Sequence, residues 1–327
     1  MAAPPSSRST LSGAGSPIRR VGLLVGRERS FPEALMAEVE RRNAGVEVGY
    51  ARFDAPRATD IPDYEVIVDR ISHEVPCYQP FLKVAKLRGS RIINDPFFRI
   101  ADDKFFDVAL ADTLGVAVPK TVLLPSKDYE STIDTESLQH NMGWVDWEKI
   151  ERDLAFPMYI KPHWGGGWRA VTRVASMSEL LSTYDNSGRY TMILQEEIQW
   201  TQYVRCIVIG RQHVLPALWD PRLSHFERYR HAHRSMPALD RELEARVSHD
   251  ALKLTRALGY DMNTVEFAIS NGVPFAIDFM NSAPDFDITS LGESHFRWTV
   301  EKMADLVVDA AKAPRADRPR WHELLPI

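Results

Sequence analysis

Short apolar runs and amphipathic stretches alternate along the first hundred residues. An apolar run of four to eight residues is typical of a buried strand, whereas apolar residues spaced three or four apart predict a helix. Strands are predicted at 21–25, 46–53, 65–71 and 91–93, and helices at about 30–42 and 78–87. Ser30 and Glu33 have the spacing of a capping box at the start of the first helix. This order of elements predicts a small open α/β sheet.

The rest of the chain continues this pattern and adds hairpins. Gly115 ends a helix that begins near Asp102, and the polar segment 126–150 is predicted to be an insertion or a pair of short helices. Further strands are predicted at 118–124, 158–161, 170–174, 192–195, 204–209, 213–218, 264–269 and 273–279. Further helices are predicted from Ser176 onward, at about 240–258 and at about 294–311.

Composition narrows the class of protein. A chain of 327 residues is long enough for two or three packed subdomains, and its 44% hydrophobic and 26% charged residues are typical of globular proteins. The net charge of −5 gives no general basic field for nucleic acid or an anionic membrane. No apolar run reaches the roughly 18–20 residues that cross a bilayer. Cys77 and Cys206 form no metal or redox motif, and the N-terminus lacks the apolar core of a signal peptide, so we expect a cytoplasmic protein.

The most informative segment is 157–168, where an apolar run reaches Lys161 and then passes into Gly165, Gly166 and Gly167. Glycines let backbone N–H groups approach an anion, and the lysine ammonium supplies a positive charge. A lysine at the end of a buried strand also needs an anion nearby, because an unpaired buried charge is costly. The segment therefore predicts a phosphate site, although an ordinary flexible turn would use the same glycines.

Near the C-terminus, Glu266, Asp278 and Asn281 form an oxygen-rich hairpin of the kind that binds magnesium. A two-residue turn at 271–272 would place the two carboxylates on opposite faces of the hairpin. A three-residue loop at 271–273 would instead set Glu266 directly across from Asp278. Shared magnesium ligation therefore predicts the three-residue loop. A salt-bridged hairpin without a metal is the alternative.

Six short motifs, taken in chain order, resemble the ATP-grasp superfamily, which includes glutathione synthetase and D-alanine–D-alanine ligase. The motifs are Ile93-Asn94-Asp95-Pro96 with Asp103-Lys104, Gly115 to Thr121, Phe156 to Pro162, Leu194-Gln195-Glu196-Glu197-Ile198, Tyr203-Val204-Arg205 and Asp278 to Pro284. The resemblance covers roughly residues 20–312. Tyr203 replaces the family's usual aspartate, and two residues instead of one separate Asp278 from Asn281. We expect a bulge at 279–280 to return Asn281 to the metal side.

The resemblance implies an α/β (α+β) fold class, in which a small Rossmann-like open sheet precedes a two-subdomain ATP-grasp fold. The implied division is a disordered tail at 1–18, an N-terminal α/β domain at 19–95, an ATP-grasp N-subdomain at 96–194 with a phosphate loop at 163–168, a C-subdomain at 195–315 with a metal hairpin at 264–281, and a C-terminal tail at 316–327.

The resemblance also implies roles for individual residues. The implied catalytic residues are Arg205 and Lys161, which neutralise charge on the transferred phosphoryl group. The implied nucleotide ligands are Lys104, Lys161, Gly165, Gly166, Gly167, Trp168, Gln195, Glu196, Glu197 and Ile198. Which of Glu196 and Glu197 meets adenine or ribose stays open. The implied ligands of Mg²⁺, or of Mn²⁺, beside ATP are Glu266, Asp278 and Asn281.

Two segments supply candidates for substrate binding. Residues 219–234 are strongly basic, and the equivalent loop in this fold often overhangs the substrate. Candidates there for an anionic substrate are Arg228, Arg230 and His231, with a solvated loop as the alternative. Arg70 and His73 follow a strand end in the N-terminal domain, where α/β sheets place ligands, and are candidates for an acceptor site.

Together these features predict an ATP- and magnesium-dependent ligase. A substrate carboxylate would attack the γ-phosphate, and an amine or related nucleophile would convert the acylphosphate to an amide, with ADP and phosphate as the other products. The expected partners are small carboxylates and amines, with no nucleic acid and no membrane, and a homodimer is left open. The alternatives are a small-molecule kinase and a nucleotide-binding regulatory protein without turnover.

Overall fold

A computed structural model describes residues 18–60, 62–98, 103–138, 140, 143–165 and 170–313. The predicted tails at 1–18 and 316–327 lie outside these residues, apart from Ile18. In this part of the chain, three four-stranded sheets follow one another. Among the helices described, none is both long and apolar enough to cross a bilayer.

The first sheet is parallel, with strands in the order β2-β1-β3-β4. Its strands are β1 (Arg19–Leu24), β2 (Val46–Tyr50), β3 (Val66–Asp69) and β4 (Arg91–Ile93). Its helices are α1 (Ser30–Arg42) and α2 (Tyr78–Leu87). β3 is buried along its whole length, as expected for a parallel strand covered on both faces. The structure thus has the predicted open α/β sheet.

The capping box predicted at Ser30 is wrong. Arg29 is the N-cap residue of α1, and no side-chain cap bond is described there. The Ser30 hydroxyl donates instead to Asp287 at 2.8 Å and accepts the N–H of Ile288 at 3.2 Å. A contact between segments far apart in the chain has therefore replaced the local cap.

The second sheet is antiparallel and follows α3 (Lys104–Thr113), whose N-cap is Asp103. Its strands, in the order β5-β8-β6-β7, are β5 (Thr121–Leu124), β6 (Met158–Pro162), β7 (Thr172–Val174) and β8 (Met192–Glu196). Its helices are α4 (Thr135–Leu138), α5 (Trp147–Asp153) and α6 (Met177–Asp185). α4 and α5 are the pair of short helices predicted within 126–150. Met158, Ile160 and Leu194 pack into the core of this sheet, so the alternate residues of β6 and β8 face the other way.

The third sheet is also antiparallel and has the order β10-β9-β11-β12. Its strands are β9 (Gln202–Ile209), β10 (His213–Leu218), β11 (Met262–Ser270) and β12 (Val273–Asp278). The helices that follow or cover it are α7 (Arg241–Ala257), α8 (Ile288–Leu291) and α9 (Glu293–Lys312). Val204, Cys206 and Val208 pack with residues of α7, whereas Tyr203 and Ile207 share a core with α9. Arg205 therefore lies on the face of Tyr203.

The hairpin between β11 and β12 has a two-residue turn, so the predicted three-residue loop is wrong. Ser270 pairs with Val273 across Asn271 and Gly272, which have φ angles of 50° and 75°. Positive φ at both central residues is the geometry that an Asn-Gly sequence favours.

Glu266 nevertheless lies across from Asp278, as predicted. The register shifts between the pair Phe267–Ala276 and the pair Glu266–Asp278, so one extra residue, Ile277, is accommodated in β12. A bulge inside the strand has the same effect on facing side chains as an odd-length loop would have.

Candidate functional site

A cleft lies between the inner faces of the second and third sheets. It has about 1100 Å³ of empty space, including its open mouth, which is enough for a ligand of nucleotide size. The predicted site residues that line it are Lys104, Lys161, Gly165, Gln195, Glu196, Glu197, Ile198, Glu266 and Asp278. Gly166, Gly167 and Trp168, which were also predicted to bind nucleotide, lie outside the described residues.

Lys161 projects from β6 into this cleft. Its ammonium donates a 2.8 Å hydrogen bond to Oε1 of Gln195, a neutral partner on β8. The pKa of Lys161 is lowered to about 8, mainly by burial and also by the charge of Lys104, against the attraction of Asp278 and Glu266. The charge of Lys104 thus acts on the Lys161 ammonium, and two positive groups face the same cleft.

Lys104 joins the start of α3 to the loop after β6. Asp103 caps the helix by accepting from the N–H groups of Phe105 and Phe106. The Lys104 N–H donates to the carbonyl of His163 at 2.9 Å, and its ammonium donates to the carbonyl of Gly165. Gly165 has a φ of 92° and open space where a Cβ would stand. The loop backbone is therefore held beside both lysines.

Neither carboxylate at the end of β8 is free of protein partners. Glu196 accepts the N–H of Lys120 at 2.8 Å. Glu197 accepts two bonds from Arg173, at 2.8 and 2.9 Å, and one from Tyr159 at 3.2 Å. The Arg173 guanidinium is the main cause that lowers the pKa of Glu197. The Glu196 N–H is engaged as well, because it donates to the carbonyl of Lys120 at 3.0 Å.

Across the cleft, Glu266 is surrounded by polar groups of the third sheet. The Tyr203 hydroxyl donates to its Oε2 at 2.9 Å, and Nε of Arg205 lies 3.5 Å from its Oε1. Arg205 also donates to the Thr264 hydroxyl at 3.1 Å. Burial raises the pKa of Glu266 to about 7, against the charge of Arg205, and the negative charge of Asp278 adds to the rise.

Asn281 is held through its backbone. Its N–H donates to Oδ1 of Asn263 at 2.9 Å, and Nδ2 of Asn263 donates to the carbonyl of Phe279 at 2.8 Å. Asn263 is fully buried and so fixes the chain on both sides of Met280. The bulge predicted at 279–280 is wrong, because β12 ends at Asp278 and its irregularity lies earlier, beside Ala276.

The donor set fits magnesium. Among the described residues, no group of three His, Cys, Asp or Glu side chains is arranged to hold a metal. Glu266 and Asp278 form a pair of facing carboxylates. Magnesium is commonly bound by one or two carboxylates together with substrate phosphates and water, so a facing pair of carboxylates meets its need for protein ligands.

The candidates in the N-terminal domain lie outside the lining of this cleft. Arg70 is buried, donates to Glu28 at 2.9 Å and to the carbonyl of Pro284, and lies 4.7 Å from the centre of the Phe286 ring. It therefore packs the first sheet against the segment after β12. His73 is exposed and lies 3.7 Å from Glu74. A role for either residue in substrate binding stays a prediction.

The three candidates on the basic loop differ in their surroundings. Arg228 stacks on the Trp219 ring at 5.1 Å, and Arg205 contacts the same ring at 5.2 Å. Arg230 is exposed and donates to the carbonyl of Ile288 at 3.3 Å. His231 lies 3.2 Å from Glu227. Arg228 and the predicted catalytic arginine thus share one packing partner.

The sequence reasoning missed several residues that the structure places at or beside the site. Tyr159 lines the cleft and contacts Glu197, Asn263 fixes Asn281, and Tyr229 lies near Arg205. Strand alternation could have found Tyr159, because it lies two residues before Lys161 on the same face of β6. The other two depend on contacts between distant segments, for which the sequence alone carries no local signal.

Comparison with known proteins gives a consistent fold assignment. No protein-family model matches the chain. Vancomycin C-type resistance protein VanC1 of Enterococcus gallinarum is 26% identical over 190 residues, which is 54% of this chain and 51% of that protein. The chain spans about half the length of the curated relatives it matches.

Solved structures match over most of the chain. A D-alanine–D-alanine ligase from Bacillus anthracis, complexed with ATP, has a TM-score of 0.60 and 16% identity, covering 90% of this chain and 96% of that one. A RimK domain ATP-grasp protein from Sphaerobacter thermophilus has a TM-score of 0.61 and 17% identity, covering 90% of this chain and 100% of that one. These similarities show that the chain has the ATP-grasp fold.

Proposed function

We propose that this protein is an ATP- and magnesium-dependent ligase that joins a carboxylate to an amine or a related nucleophile. The observation that carries the proposal is the convergence of Lys161 and Lys104 on one side of a cleft whose other side presents Glu266 and Asp278. A polyanion with a bound divalent cation complements both walls at once. The cleft residues match the superfamily's nucleotide and metal motifs in chain order.

ATP would lie with its adenine against the backbone of Glu196 to Ile198, because the two glutamate side chains there are engaged by Lys120 and Arg173. Its phosphates would extend toward Lys161, Lys104 and the N–H groups of the loop after β6. Lys161 is half-buried and bonded to the neutral Gln195 side chain, so an approaching phosphate replaces a weak neutral partner with a strong charged one.

The reaction would proceed in two transfers. A carboxylate oxygen of the first substrate forms a bond to the γ-phosphorus as the bond to ADP breaks, which gives an acylphosphate. The nitrogen of the second substrate then attacks the acyl carbon, inorganic phosphate leaves, and the amine loses a proton. Arg205 and Lys161 neutralise negative charge on the transferred group. Mg²⁺ held by Glu266 and Asp278, with Asn281 as the third proposed ligand, would supply further positive charge at the β- and γ-phosphates.

The proposal is tested by measuring ADP release with pairs of substrates. D-Alanine is the first probe, because related proteins bear the name D-alanine–D-alanine ligase, followed by other amino acids and small carboxylates, singly and in pairs. A ligase releases ADP and phosphate stoichiometrically with amide and responds to a pair. A kinase responds to one hydroxyl compound and leaves the phosphate on it. ATP binding without turnover under any condition would identify a regulatory protein and contradict the proposal.

A cytoplasmic location is part of the same proposal, because the reaction consumes ATP. It is tested by localising a tagged protein in cells. Recovery of the protein outside the compartment that contains ATP would contradict it.

A further inference from the structure

Residues 279–287 connect β12 to α8, and the structure places them in neither a helix nor a strand. We call them the connecting segment. It carries Asn281, the third proposed magnesium ligand, three residues after Asp278. A segment outside the sheet has no ladder of hydrogen bonds to hold it, so the position of Asn281 depends on the groups that bond to the segment.

Side chains at the carboxyl edge of the first sheet hold the connecting segment at three points. The three bonds are those of Asn94 to the Ser282 carbonyl at 2.9 Å, Arg70 to the Pro284 carbonyl, and Ser30 to the Asp287 carboxylate at 2.8 Å. The N-terminal domain therefore sets the path of the chain after the proposed metal ligand, although none of its described residues lines the cleft.

The Arg70 guanidinium is enclosed between the first sheet and the connecting segment, and its side chain is only 3% exposed. Its Nε donates to Glu28 at 2.9 Å, and its Nη2 donates both to Glu28 and to the Pro284 carbonyl. The ring centres of Phe31 and Phe286 lie 5.1 and 4.7 Å from the guanidinium carbon. One planar group thus holds residues of both parts in a fixed relation.

Stability alone is a weak explanation for this buried guanidinium. Replacing a buried ion pair by well-packed apolar residues is often neutral or stabilising, so an apolar side chain could fill the same space. An apolar side chain cannot supply a directed donor to the Pro284 carbonyl, three residues after Asn281. The feature that needs arginine is therefore the fixed position of the connecting segment.

We propose that Arg70 is a positioning residue for the magnesium site, because it fixes the connecting segment and thereby Asn281. This inference rests on the proposed function, in which Asn281, Glu266 and Asp278 hold the metal. Asn263 accepts the Asn281 N–H at 2.9 Å, and Arg70 holds the chain three residues further on. Groups that orient a metal ligand without touching the metal contribute to its affinity.

The test compares Arg70→Lys with the wild type. Lysine keeps a positive charge beside Glu28 but lacks the planar fork that reaches Glu28 and the Pro284 carbonyl together. Magnesium affinity is measured by calorimetry, as the tightening of ADP binding that Mg²⁺ produces. We expect this affinity to fall about tenfold, as for loss of a group that orients a metal ligand. ADP without the metal should bind both proteins equally.

Arg91→Lys is the matched control. Arg91 donates to both carboxylate oxygens of Asp261 at 3.0 Å, so it also joins the first sheet to the third, but its partner lies before β11 and outside the connecting segment. Arg91→Lys should leave the magnesium affinity unchanged.

Four results would each overturn the positioning role: unchanged magnesium affinity in Arg70→Lys, an equal fall in Arg91→Lys, unfolding of Arg70→Lys, or wild-type ADP binding that does not respond to Mg²⁺. Magnesium-dependent ADP binding without any substrate-dependent ADP release would instead contradict the ligase function and leave the positioning role in place.

Discussion

The Tyr203 hydroxyl donates a 2.9 Å hydrogen bond to Oε2 of Glu266, from the neighbouring strand of the third sheet. Tyr203 stands where the ATP-grasp motif has an aspartate. A neutral donor at this position orients the carboxylate without adding a negative charge beside it. The tyrosine that replaces the motif's aspartate therefore has a specific partner in the structure, Glu266.

Removing this hydroxyl should weaken the proposed metal site. Tyr203→Phe keeps the ring packing against Trp200 and Trp219 and leaves Glu266 without its fixed orientation. Loss of a group that orients a metal ligand typically costs about 10–100-fold in metal affinity or activity. We expect the Mg²⁺ concentration for half-maximal ADP release to rise by about that factor, as measured by magnesium titration at saturating ATP. An unchanged magnesium requirement would mean that the hydrogen bond has no part in metal binding.

Asn263 should affect magnesium use in the same way, through Asn281. Asn263→Asp can still accept from the Asn281 N–H but can no longer donate to Phe279. We expect a higher Mg²⁺ requirement and weaker Mg²⁺-dependent binding of ADP, measured by calorimetry with and without the metal. Binding of ADP without metal is the control. A lower thermal midpoint with no change in the magnesium dependence would show that Asn263 serves only the fold.

The carboxylate pair should be indispensable for turnover. Asp278→Asn keeps the size of the side chain and removes the charge, and Glu266→Gln does the same on the facing strand. Each should lower kcat for ADP release by about 100-fold or more, because a metal contributes several kcal/mol to charge stabilisation in phosphoryl transfer. Asp285→Asn, which changes a carboxylate paired with His225, is the matched control and should retain magnesium dependence. Undiminished turnover in Asp278→Asn would remove its metal role.

Lys161 gives a pH dependence of nucleotide binding. Its pKa in the folded, nucleotide-free protein is about 8, below the ordinary 10.5 of an unfolded chain. Between pH 8 and pH 10.5, the unfolded chain therefore binds more protons than the folded one. Below pH 8, the buried charge of Lys161 lowers the free energy of unfolding, and this loss of stability disappears as the pH rises toward 10.5.

Bound phosphates should raise the pKa of Lys161 again. ATP should then bind with proton uptake and lose affinity at alkaline pH.

Calorimetry of ATP binding at about pH 8.5, in two buffers that differ in ionisation enthalpy, measures this uptake directly. The wild type should show different binding heats in the two buffers. Lys161→Gln should bind ATP more weakly and show a smaller difference between the buffers. Equal proton uptake by both proteins would show that Lys161 does not meet the phosphates.

Gly272 tests the two-residue turn. Its φ of 75° lies in the left-handed region, and open space surrounds the position of a Cβ, so Gly272→Ala introduces backbone strain without a clash. We expect a loss of about 1 kcal/mol in the free energy of unfolding, measured by urea denaturation. Gly49→Ala is the control at a position that is equally open but has no positive φ. Equal effects of the two changes would contradict the turn geometry.

The order of elements and the facing walls of the cleft could be predicted because each depends on local sequence. The apolar runs mark β6 and β8, and their alternation brings Lys161 and Gln195 to one face. The Asn-Gly dipeptide also marks its turn, and the predicted three-residue loop is wrong because the odd residue lies in a bulge at Ile277, inside the strand.

Contacts between distant segments could not be predicted in this way. Ser30 fits a local cap, yet it bonds to Asp287. Arg70 fits a ligand position at a strand end, yet it is enclosed by Glu28 and two aromatic rings. In each case the partner is fixed only when the sheets pack together.

The central claim is that a triphosphate bridges Lys161 and the facing carboxylates of the third sheet. The most direct measurement is a crystal structure of the protein with Mg²⁺ and a non-hydrolysable ATP analogue. We predict a phosphate oxygen within about 3 Å of the Lys161 ammonium and a magnesium ion at about 2.1 Å from oxygens of Glu266 and Asp278. A nucleotide bound elsewhere, or bound in this cleft without contact to Lys161 and these carboxylates, would contradict the claim.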